Sequence, residues 1–349
     1  MGIGIRQPAL AAGAVLVALA ASSVTAVGQE CPHRGQLDAL YCDANSDLVA
    51  DPPTDPGKWK DPPTLVFAYT PVEDPAVYLN AFRPFTEHLS KCIGKRVVYY
   101  PVQSNSAQIE AMRTGRLHIA GFSTGPTGFA VNLAGAVPFA VKGTEKALQG
   151  YHLIAVVKAS SPYHKLSDLK GRRVAHTSPS SNSGNLAPRV LFPPRGLTPD
   201  VDYRPLMSGG HDRSALGVQS GDYDMAPVAS DVYDRMVERG TVKGEGMRII
   251  YKSPLFPTSS FTYAHDLKPE LAERMKTCFF NFRFTPVMIR EFNGNDRFFP
   301  INYKEHWAVV REIAEKTGTP YNKAAYERET RREAESRAKK KKAPAPKKP

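Results

Sequence analysis

The sequence predicts an α/β protein of two lobes, the second inserted into the first. Short runs of aliphatic and aromatic residues alternate with helix-like segments, the pattern of an α/β protein with parallel sheets. The alternation restarts near Leu166, and a chain of 349 residues is long enough for roughly two cores. The segments assign residues 64–153 to the first lobe, 154–257 to the inserted lobe and 258–324 to the return of the first lobe.

Before the alternation restarts, apolar runs predict strands at 65–69, 96–100, 117–121, 137–141 and 151–157. Between them we expect an amphipathic helix over 76–91 and another over 106–114, where Ile109 and Met112 share one face. Pro126 suits the first turn of the next helix.

The inserted lobe repeats this pattern. Its strands are predicted at 173–175, 223–228 and 247–251. A returning strand at 259–263 then precedes helices at 269–282 and 303–316. Ligands of such sheets lie beyond the carboxyl ends of strands, and a cleft between two lobes is a favoured pocket.

The positive charge is concentrated at the C-terminus. Of the formal net charge of +12, residues 328 to 349 contribute +7, from ten Lys or Arg against three Glu. The folded part is therefore only mildly basic, and nucleic-acid binding is not indicated. The basic tail at 325–349 is predicted to be disordered. The alternative is attachment to an anionic membrane surface or an acidic envelope polymer.

The N-terminus has the features of a secretory signal peptide at 1–28. Arg6 precedes an apolar run over 9–21, which is too short to span a membrane. Small residues at Ala26-Val-Gly28 supply a cleavage site. We therefore expect a soluble, exported mature protein.

Four cysteines in an exported chain indicate two disulfides. Cys31 and Cys42 are close in sequence and outside the expected core, whereas Cys92 and Cys278 fall in helical segments. We expect Cys31 to pair with Cys42 and Cys92 with Cys278, although three connectivities are open from sequence alone. The second bond would join the two chain ends that build the first lobe.

Residues 29–63 form a polar leader rich in Asp and Pro. Oxygen-bearing side chains at alternating positions are typical of calcium loops, and here they are Asp43, Asn45, Asp47 and Asp51. Leu48 and Thr54 stand where an EF-hand has its Gly and terminal Glu. Calcium binding and a plain Asp-rich loop tied by a disulfide both remain open.

A loop rich in Ser and Asn opens the stretch 176–192 and leads into a helix-like segment. Such residues cap helix N-termini, where unpaired N–H donors and a partial positive charge make an anion site. The hydroxyls of Ser180, Ser181 and Ser183 would add donors. A Ser-rich surface turn is the alternative.

Two common sequence motifs of catalysis are missing, because the chain has neither an HExxH motif nor a Walker loop. A hydrolase triad can be drawn from Ser181, His211 and Asp212, but nothing in the spacing favours it over anion binding. We expect a binding protein rather than an enzyme.

Several short motifs occur in a fixed order. They are Ala68-Tyr-Thr-Pro71, Gly125-Pro-Thr-Gly-Phe129, Gly150-Tyr-His152, Ser161-Pro162, Leu166-Ser-Asp-Leu-Lys-Gly171, Ser181-Asn-Ser-Gly184, Ser208-Gly-Gly-His211 and Ser253-Pro-Leu255. In this order the chain resembles the phosphate, phosphite and phosphonate ABC-transporter periplasmic substrate-binding family over about residues 64–290. The resemblance implies a type II periplasmic-binding-protein fold, in which two α/β lobes joined by a two-strand hinge close on the ligand.

The resemblance also implies that helix N-termini and hydroxyls, rather than Lys or Arg, hold an oxyanion. Thr127 and Gly128 stand where members place a hydroxyl pair at a helix start, and His152 where they place a histidine. Ser181-Asn-Ser183 matches a Ser-Thr-Ser loop of the family. The predicted ligand-binding residues are Tyr69, Thr127, Gly128, His152, Ser180, Ser181, Asn182, Ser183 and His211. Binding is expected to weaken on His152→Ala and to respond to pH near the titration of that imidazole.

Departures from the family leave the ligand open among phosphate, phosphite and an organic phosphonate. Asn182 replaces a hydroxyl, Gly128 lacks one, and Asn105 falls near a position that is often Tyr in phosphonate binders. We expect a monomer that moves about a hinge near 151–155 and 255–260 and delivers its ligand to an inner-membrane ABC permease. The alternative is an extracytoplasmic sensor module for another small anion. No cofactor is expected, apart from calcium in the leader, which remains open.

Overall fold

The computed structural model describes residues 1–2, 31–70, 72–74 and 76–342. The expected signal peptide lies almost wholly outside these residues, as does the end of the basic tail. The strands and helices of the described residues all belong to the unit Pro32–Pro349. Within the described residues, no helix has both the length and the apolar character needed to cross a membrane.

Twelve strands and eleven α-helices are found in the described ranges. The strands are β1 (Thr64–Tyr69), β2 (Arg96–Tyr99), β3 (Ile119–Phe122), β4 (Ala136–Thr144), β5 (Ala147–Leu148), β6 (Gly150–Lys158), β7 (Ala175–His176), β8 (Leu206–Met207), β9 (Ala226–Ala229), β10 (Met247–Pro257), β11 (Ser260–Ala264) and β12 (Arg297–Pro300). The helices are α1 (Ala76–Ile93), α2 (Asn105–Arg113), α3 (Thr124–Ala134), α4 (Ala187–Leu191), α5 (His211–Ser220), α6 (Ser230–Glu238), α7 (Pro269–Phe280), α8 (Pro286–Glu291), α9 (Tyr303–His306), α10 (Ala308–Lys316) and α11 (Lys323–Lys342). A π-helical turn spans Asn182–Leu186 and leads directly into α4.

The first lobe is organised around a mixed sheet in the order β12-β4-β11-β3-β1-β2, with β5 beside β4. β1 pairs in parallel with β2 and β3, whereas β11, β4 and β12 pair antiparallel. β3 is buried along its whole length, and the rings of Phe67, Phe82 and Phe261 pack on one another in the core. The apolar face of α1, with Phe82 and Phe85, covers this aromatic core.

The second lobe has antiparallel strands in the order β10-β6-β9 and a parallel pair, β7 and β8. A bridge between Val174 and Met225 connects the two groups. The two-lobed α/β fold is confirmed, but its sheets are mixed rather than parallel. The chain enters the second lobe along β6 and leaves it along β10, so these two neighbours must run in opposite directions.

The chain passes between the lobes twice, from β4 through β5 to β6 and from β10 to β11. The two passages lie side by side, because Gly150 at the start of β6 pairs with Pro257 at the end of β10. This arrangement is the expected two-strand hinge.

The C-terminal segment packs on both lobes. Trp307, which is fully buried in the core of the first lobe, donates its indole N–H to the carbonyl of Thr124 at 2.9 Å. Ile313 on α10 belongs to the core of the second lobe. The expectation of disorder from residue 325 is wrong for the described part, since α11 continues to Lys342 and buries Ala325 completely. Its Ala, Glu, Lys and Arg residues are strong helix formers.

The disulfide between Cys92 and Cys278 is confirmed and links α1 to α7. Cys31 and Cys42 are also disulfide-bonded. The bond between α1 and α7 holds the early and late parts of the first lobe together, because Cys92 and Cys278 lie 186 residues apart in sequence.

Candidate functional site

A cavity of about 50 Å³ lies between the two lobes, and both lobes contribute to its lining. Since a buried water needs roughly 10–15 Å³ on the same measure, the cavity has room for a compact group of a few heavy atoms. Most lining residues carry a hydroxyl or an amide or are glycines. The cavity therefore suits a small polar ligand.

Helix N-termini from both lobes supply lining residues to this cavity. Ser123 and Thr124, at the start of α3, come from the first lobe. Ser181 at the π-helical turn, Gly210 at α5 and Asp231 at α6 come from the second. The first N–H groups of a helix lack intrahelical partners and carry partial positive charge, so their convergence favours an anion.

The loop at the π-helical turn is held in shape by its own side chains. Ser181 Oγ accepts a hydrogen bond from Gly184 N–H at 3.1 Å, and Asn182 donates to the Tyr151 hydroxyl at 3.2 Å. Asn182 Oδ1 is buried and has no hydrogen-bond partner among the residues that the structure describes. Gly125 allows α3 to approach this loop, since a Cβ there would lie 2.1 Å from the carbonyl oxygen of Ser180.

The side chain of His176 holds the loop at the π-helical turn in place. This fully buried imidazole contacts Asn185 Oδ1 through Nδ1 at 2.9 Å and the Tyr203 hydroxyl through Nε2 at 2.8 Å. Burial lowers the pKa of His176 to about 4. The neutral ring can therefore donate from Nδ1 and accept at Nε2, which orients the loop that carries Asn185.

His211 lines the cavity as a neutral donor. Its Nδ1 accepts the Ala229 N–H at 3.2 Å, which leaves the proton of the neutral ring on Nε2. Burial lowers the pKa of His211 to about 4. A hydrolase triad is not formed, because Nδ1 accepts from a backbone amide instead of donating to Asp212, whose Oδ1 has no partner in the described structure.

A buried ion network joins the two lobes beside the cavity. Glu73, in the loop after β1, pairs at 3.0 Å with Arg235 on α6 of the second lobe and at 2.8 Å with Arg239, the residue that caps the C-terminus of α6. Burial acts to raise the pKa of Glu73, but the two guanidinium groups and the Tyr78 hydroxyl together hold it below its usual value. Glu73 is therefore charged, and it balances cations of the opposite lobe.

Further contacts complete this network. Arg235 also pairs with Asp231 at 3.4 Å and donates to Asn293 Oδ1 of the first lobe at 2.6 Å. Asn293 donates in return to the Asp231 carbonyl at 3.1 Å, and Arg239 pairs with Glu291 of the first lobe. The guanidinium that lines the cavity is thus already paired with carboxylates.

The structure brings five of the predicted residues to the cavity lining. They are Tyr69, Ser181, Asn182, Ser183 and His211. Ser180 lies just behind the lining, where its hydroxyl accepts a hydrogen bond from Asn105 across the cleft at 3.3 Å.

The other three predicted residues lie outside the lining. Thr127 is one turn into α3, where its hydroxyl is engaged by the Ser123 carbonyl and Ser260 Oγ, both at 2.9 Å. Gly128 packs against the ring of Tyr321, which would lie 2.2 Å from a Cβ at this position. The His152 ring is paired through Nδ1 with the Ser253 carbonyl at 2.7 Å.

Sequence reasoning missed several lining residues. Ser123 and Thr124 follow β3 directly, so the rule that ligands lie beyond the carboxyl ends of strands could have found them. Thr258 and Ser259 lie in the hinge, and Arg235 lies inside a helix. No local sequence signal marks these three.

The leader loop does not gather its acidic side chains into a metal site. Asp43 accepts hydrogen bonds from the N–H groups of Asp47 and Leu48, and Asp51 accepts from Ala44. In the described part of the chain, no three His, Cys, Asp or Glu side chains are grouped so that they could hold a metal ion. The carboxylates instead stabilise the loop backbone, and Asn45 bonds to Asp47 within it.

The fold and the cavity define a two-lobed solute-binding protein of the periplasmic-binding class. Residues 67–305 match the family model described as ABC transporter, phosphonate, periplasmic substrate-binding protein. The chain therefore belongs to this family, whose members are binding proteins and not enzymes.

Relatives and solved structures agree with this assignment. The chain is 28% identical to the phosphate-import protein PhnD of Mycolicibacterium smegmatis over 62% of its own length and 71% of that protein. It is 25% identical to the phosphonates-binding periplasmic protein of Escherichia coli over 58% of its own length and 61% of that protein. The structure of PhnD1 from Prochlorococcus marinus in complex with methylphosphonate shares the fold, with a TM-score of 0.66, 20% identity, and coverage of 74% of this chain and 99% of that one.

Because His176 is neutral in the folded protein, we expect the protein to lose stability in acid. Its pKa is lowered to about 4 in the folded state, against roughly 6.5 in an unfolded chain, so the stability that it contributes is present above pH 6.5 and lost as the pH falls towards 4. His176→Gln should reduce the loss of unfolding free energy between pH 7 and pH 4.5 by ~2–3 kcal/mol. Denaturant unfolding at both pH values measures it, with His164→Gln, an exposed histidine, as control. An unchanged pH dependence would remove His176 from the acid response.

The ion network predicts that Glu73→Gln opens the ligand-free protein. Arg235 and Arg239 would lose their shared buried carboxylate, and breaking a buried pair costs about 3–5 kcal/mol. Small-angle scattering should show a larger radius of gyration than in the wild type, and denaturant unfolding should show lower stability. Glu145→Gln is the matched control, because that exposed carboxylate pairs with Arg297 within one lobe. Wild-type scattering from Glu73→Gln would contradict the prediction.

Proposed function

We propose that this protein binds a small phosphorus oxyanion in the interlobe cavity and delivers it to an inner-membrane ABC permease. The observation that carries the proposal is the lining itself: hydroxyls, amides and helix N-termini from both lobes converge on about 50 Å³. Such a site meets a tetrahedral anion with fixed dipoles and orders no flexible cation on binding.

The size of the cavity favours compact ligands. With room for only a few heavy atoms, it suits phosphate, phosphite or methylphosphonate better than a phosphonate with a long organic substituent. The phosphate and phosphonate descriptions of the relatives support the same ligand class.

The family description supports a periplasmic location and work with an ABC transporter. We infer export to the periplasm through a signal peptide at residues 1–28 and action as a monomer. Hinge motion between β4–β6 and β10–β11 would open the cavity, and closure would present both lobes to the permease.

Titration calorimetry of the protein from residue 29 onwards tests the ligand class. Phosphate, phosphite and methylphosphonate should each bind one to one, and 2-aminoethylphosphonate should bind more weakly because of its length. Nitrate is the control, since it is a planar oxyanion and cannot match donors that converge on a tetrahedral one. Failure of all the phosphorus oxyanions to bind to folded, ligand-free protein would refute the proposal.

The two histidines make a separate prediction. His211→Ala removes a neutral donor from the lining and should weaken oxyanion binding roughly 10- to 100-fold, the value of a hydrogen bond to a charged group. Because the pKa of His211 is about 4, binding should show no histidine titration between pH 6 and 8. His152→Ala should leave the affinity unchanged, since its ring is bonded to the Ser253 carbonyl outside the lining. The opposite result, a loss with His152→Ala alone, would favour the assignment made from sequence.

A further inference from the structure

Lys142, on β4, has its whole side chain buried and is only 1% exposed. Lysine is almost never fully buried without a partner, because burial of an ammonium group is costly. The Nζ atom donates a hydrogen bond to the Tyr69 hydroxyl at 2.9 Å. This cation was not singled out by the sequence.

Aromatic rings surround the ammonium group. Its Nζ lies 5.2 Å from the ring centre of Tyr69, 5.4 Å from that of Phe261 and 4.9 Å from that of Phe292. Ring faces attract a cation, more strongly where water is excluded. Among the residues that the structure describes, Lys142 forms no ion pair with a carboxylate, unlike Lys60 and Lys95. Its charge is therefore held but not neutralised.

The hydrogen bonds lead from this cation to the cavity. The Tyr69 hydroxyl has one proton and, because it accepts from Lys142, that proton is available to Ser259 Oγ at 3.2 Å. Tyr69 and Ser259 both line the cavity. In this series of hydrogen bonds Lys142 donates to Tyr69 and Tyr69 donates to Ser259. The hydroxyl proton of Ser259 is therefore left for a ligand oxygen. Such chains polarise one another.

The second cation near the ligand has a different role. Arg235 also lines the cavity, but Glu73 and Asp231 pair with it. A bound anion would therefore contact a cation that is already neutralised, and would be connected to the cation without a carboxylate only through Tyr69 and Ser259. An unpaired buried charge is best compensated by a charge brought by the ligand.

We propose that Lys142 is a positioning residue for the oxyanion, with the bound anion as its countercharge. It acts through Tyr69 and Ser259 and favours the more highly charged, fully deprotonated form of the ligand. The proposal rests on oxyanion binding as the function. It assigns to Lys142 a role in selecting the ionisation state of the ligand.

Calorimetry with phosphite and methylphosphonate between pH 5.5 and pH 8.5 tests this role. Each anion loses its last proton within this range, so wild-type affinity should rise with pH. Lys142→Gln keeps a hydrogen-bond donor but removes the charge. Its affinity should be lower than that of the wild type by tenfold or more at pH 8.5 and by less at pH 5.5. Lys142→Arg keeps the charge and should retain the rising profile.

Stability measurements separate this role from a purely structural one. Replacing an unpaired buried charge by a neutral group is often neutral or stabilising, so ligand-free Lys142→Gln should unfold at the same or a higher denaturant concentration than the wild type. Should Lys142→Gln not fold, Tyr69→Phe interrupts the hydrogen-bond chain with Lys142 in place and should flatten the pH profile in the same way.

Two results would overturn the role of Lys142. The first is that Lys142→Gln binds with wild-type affinity and a wild-type pH profile. If Lys142→Gln does not fold, the same result with Tyr69→Phe would overturn the role. The other is an equal loss at every pH together with lower stability. Absence of binding by the wild type itself would instead refute oxyanion binding, so the two failures are distinguishable.

Discussion

The pairing of Glu73 with Arg235 and Arg239 is the interaction on which the closed cleft depends. These charges come from opposite lobes and lie beside the cavity, so separating the lobes would leave Glu73 without either of its guanidinium partners. The same pairing cancels the positive charge at the cavity wall. A single network thus holds the lobes together and leaves neutral dipoles to recognise the ligand.

Recognition by fixed dipoles requires that the two lobes, each with its own core, pack against each other accurately. Gly125 permits the close approach of α3 to the Ser-rich loop, and the pairing of Asn105 with Ser180 crosses the cleft nearby. On the C-terminal side, Trp307 in one core and Ile313 in the other tie α10 to both lobes. The hinge and α10 therefore limit how the lobes can move.

Charge is placed in three different ways around this protein. Arg235 is balanced by carboxylates, Lys142 is buried among rings behind Tyr69, and the C-terminal basic residues lie on or beyond α11. Only the last group is evident from the charge count of the sequence. The distinction matters because a paired and an unpaired buried cation have very different effects on a nearby anion.

Much of the fold could be predicted, because it depends on local patterns. Apolar runs marked β1, β3 and β6, and the motif order marked the family. The pairing of Cys92 with Cys278 followed from the expectation that both chain ends build the first lobe. The antiparallel centre of the second lobe could not be predicted, since strand direction depends on where the chain enters and leaves that lobe.

The sequence by itself determined the two-lobed fold, the hydroxyl-rich loop at Ser181 and the family. Tertiary structure alone decided which residues reach the cavity. Thr127 and His152 have suitable chemistry, yet one is a turn too far along α3 and the other is bonded to the Ser253 carbonyl. Arg235 and Lys142 lie on elements whose local sequence shows no site. A binding site is a set of distances between remote segments, and those distances are fixed only when the two lobes pack together.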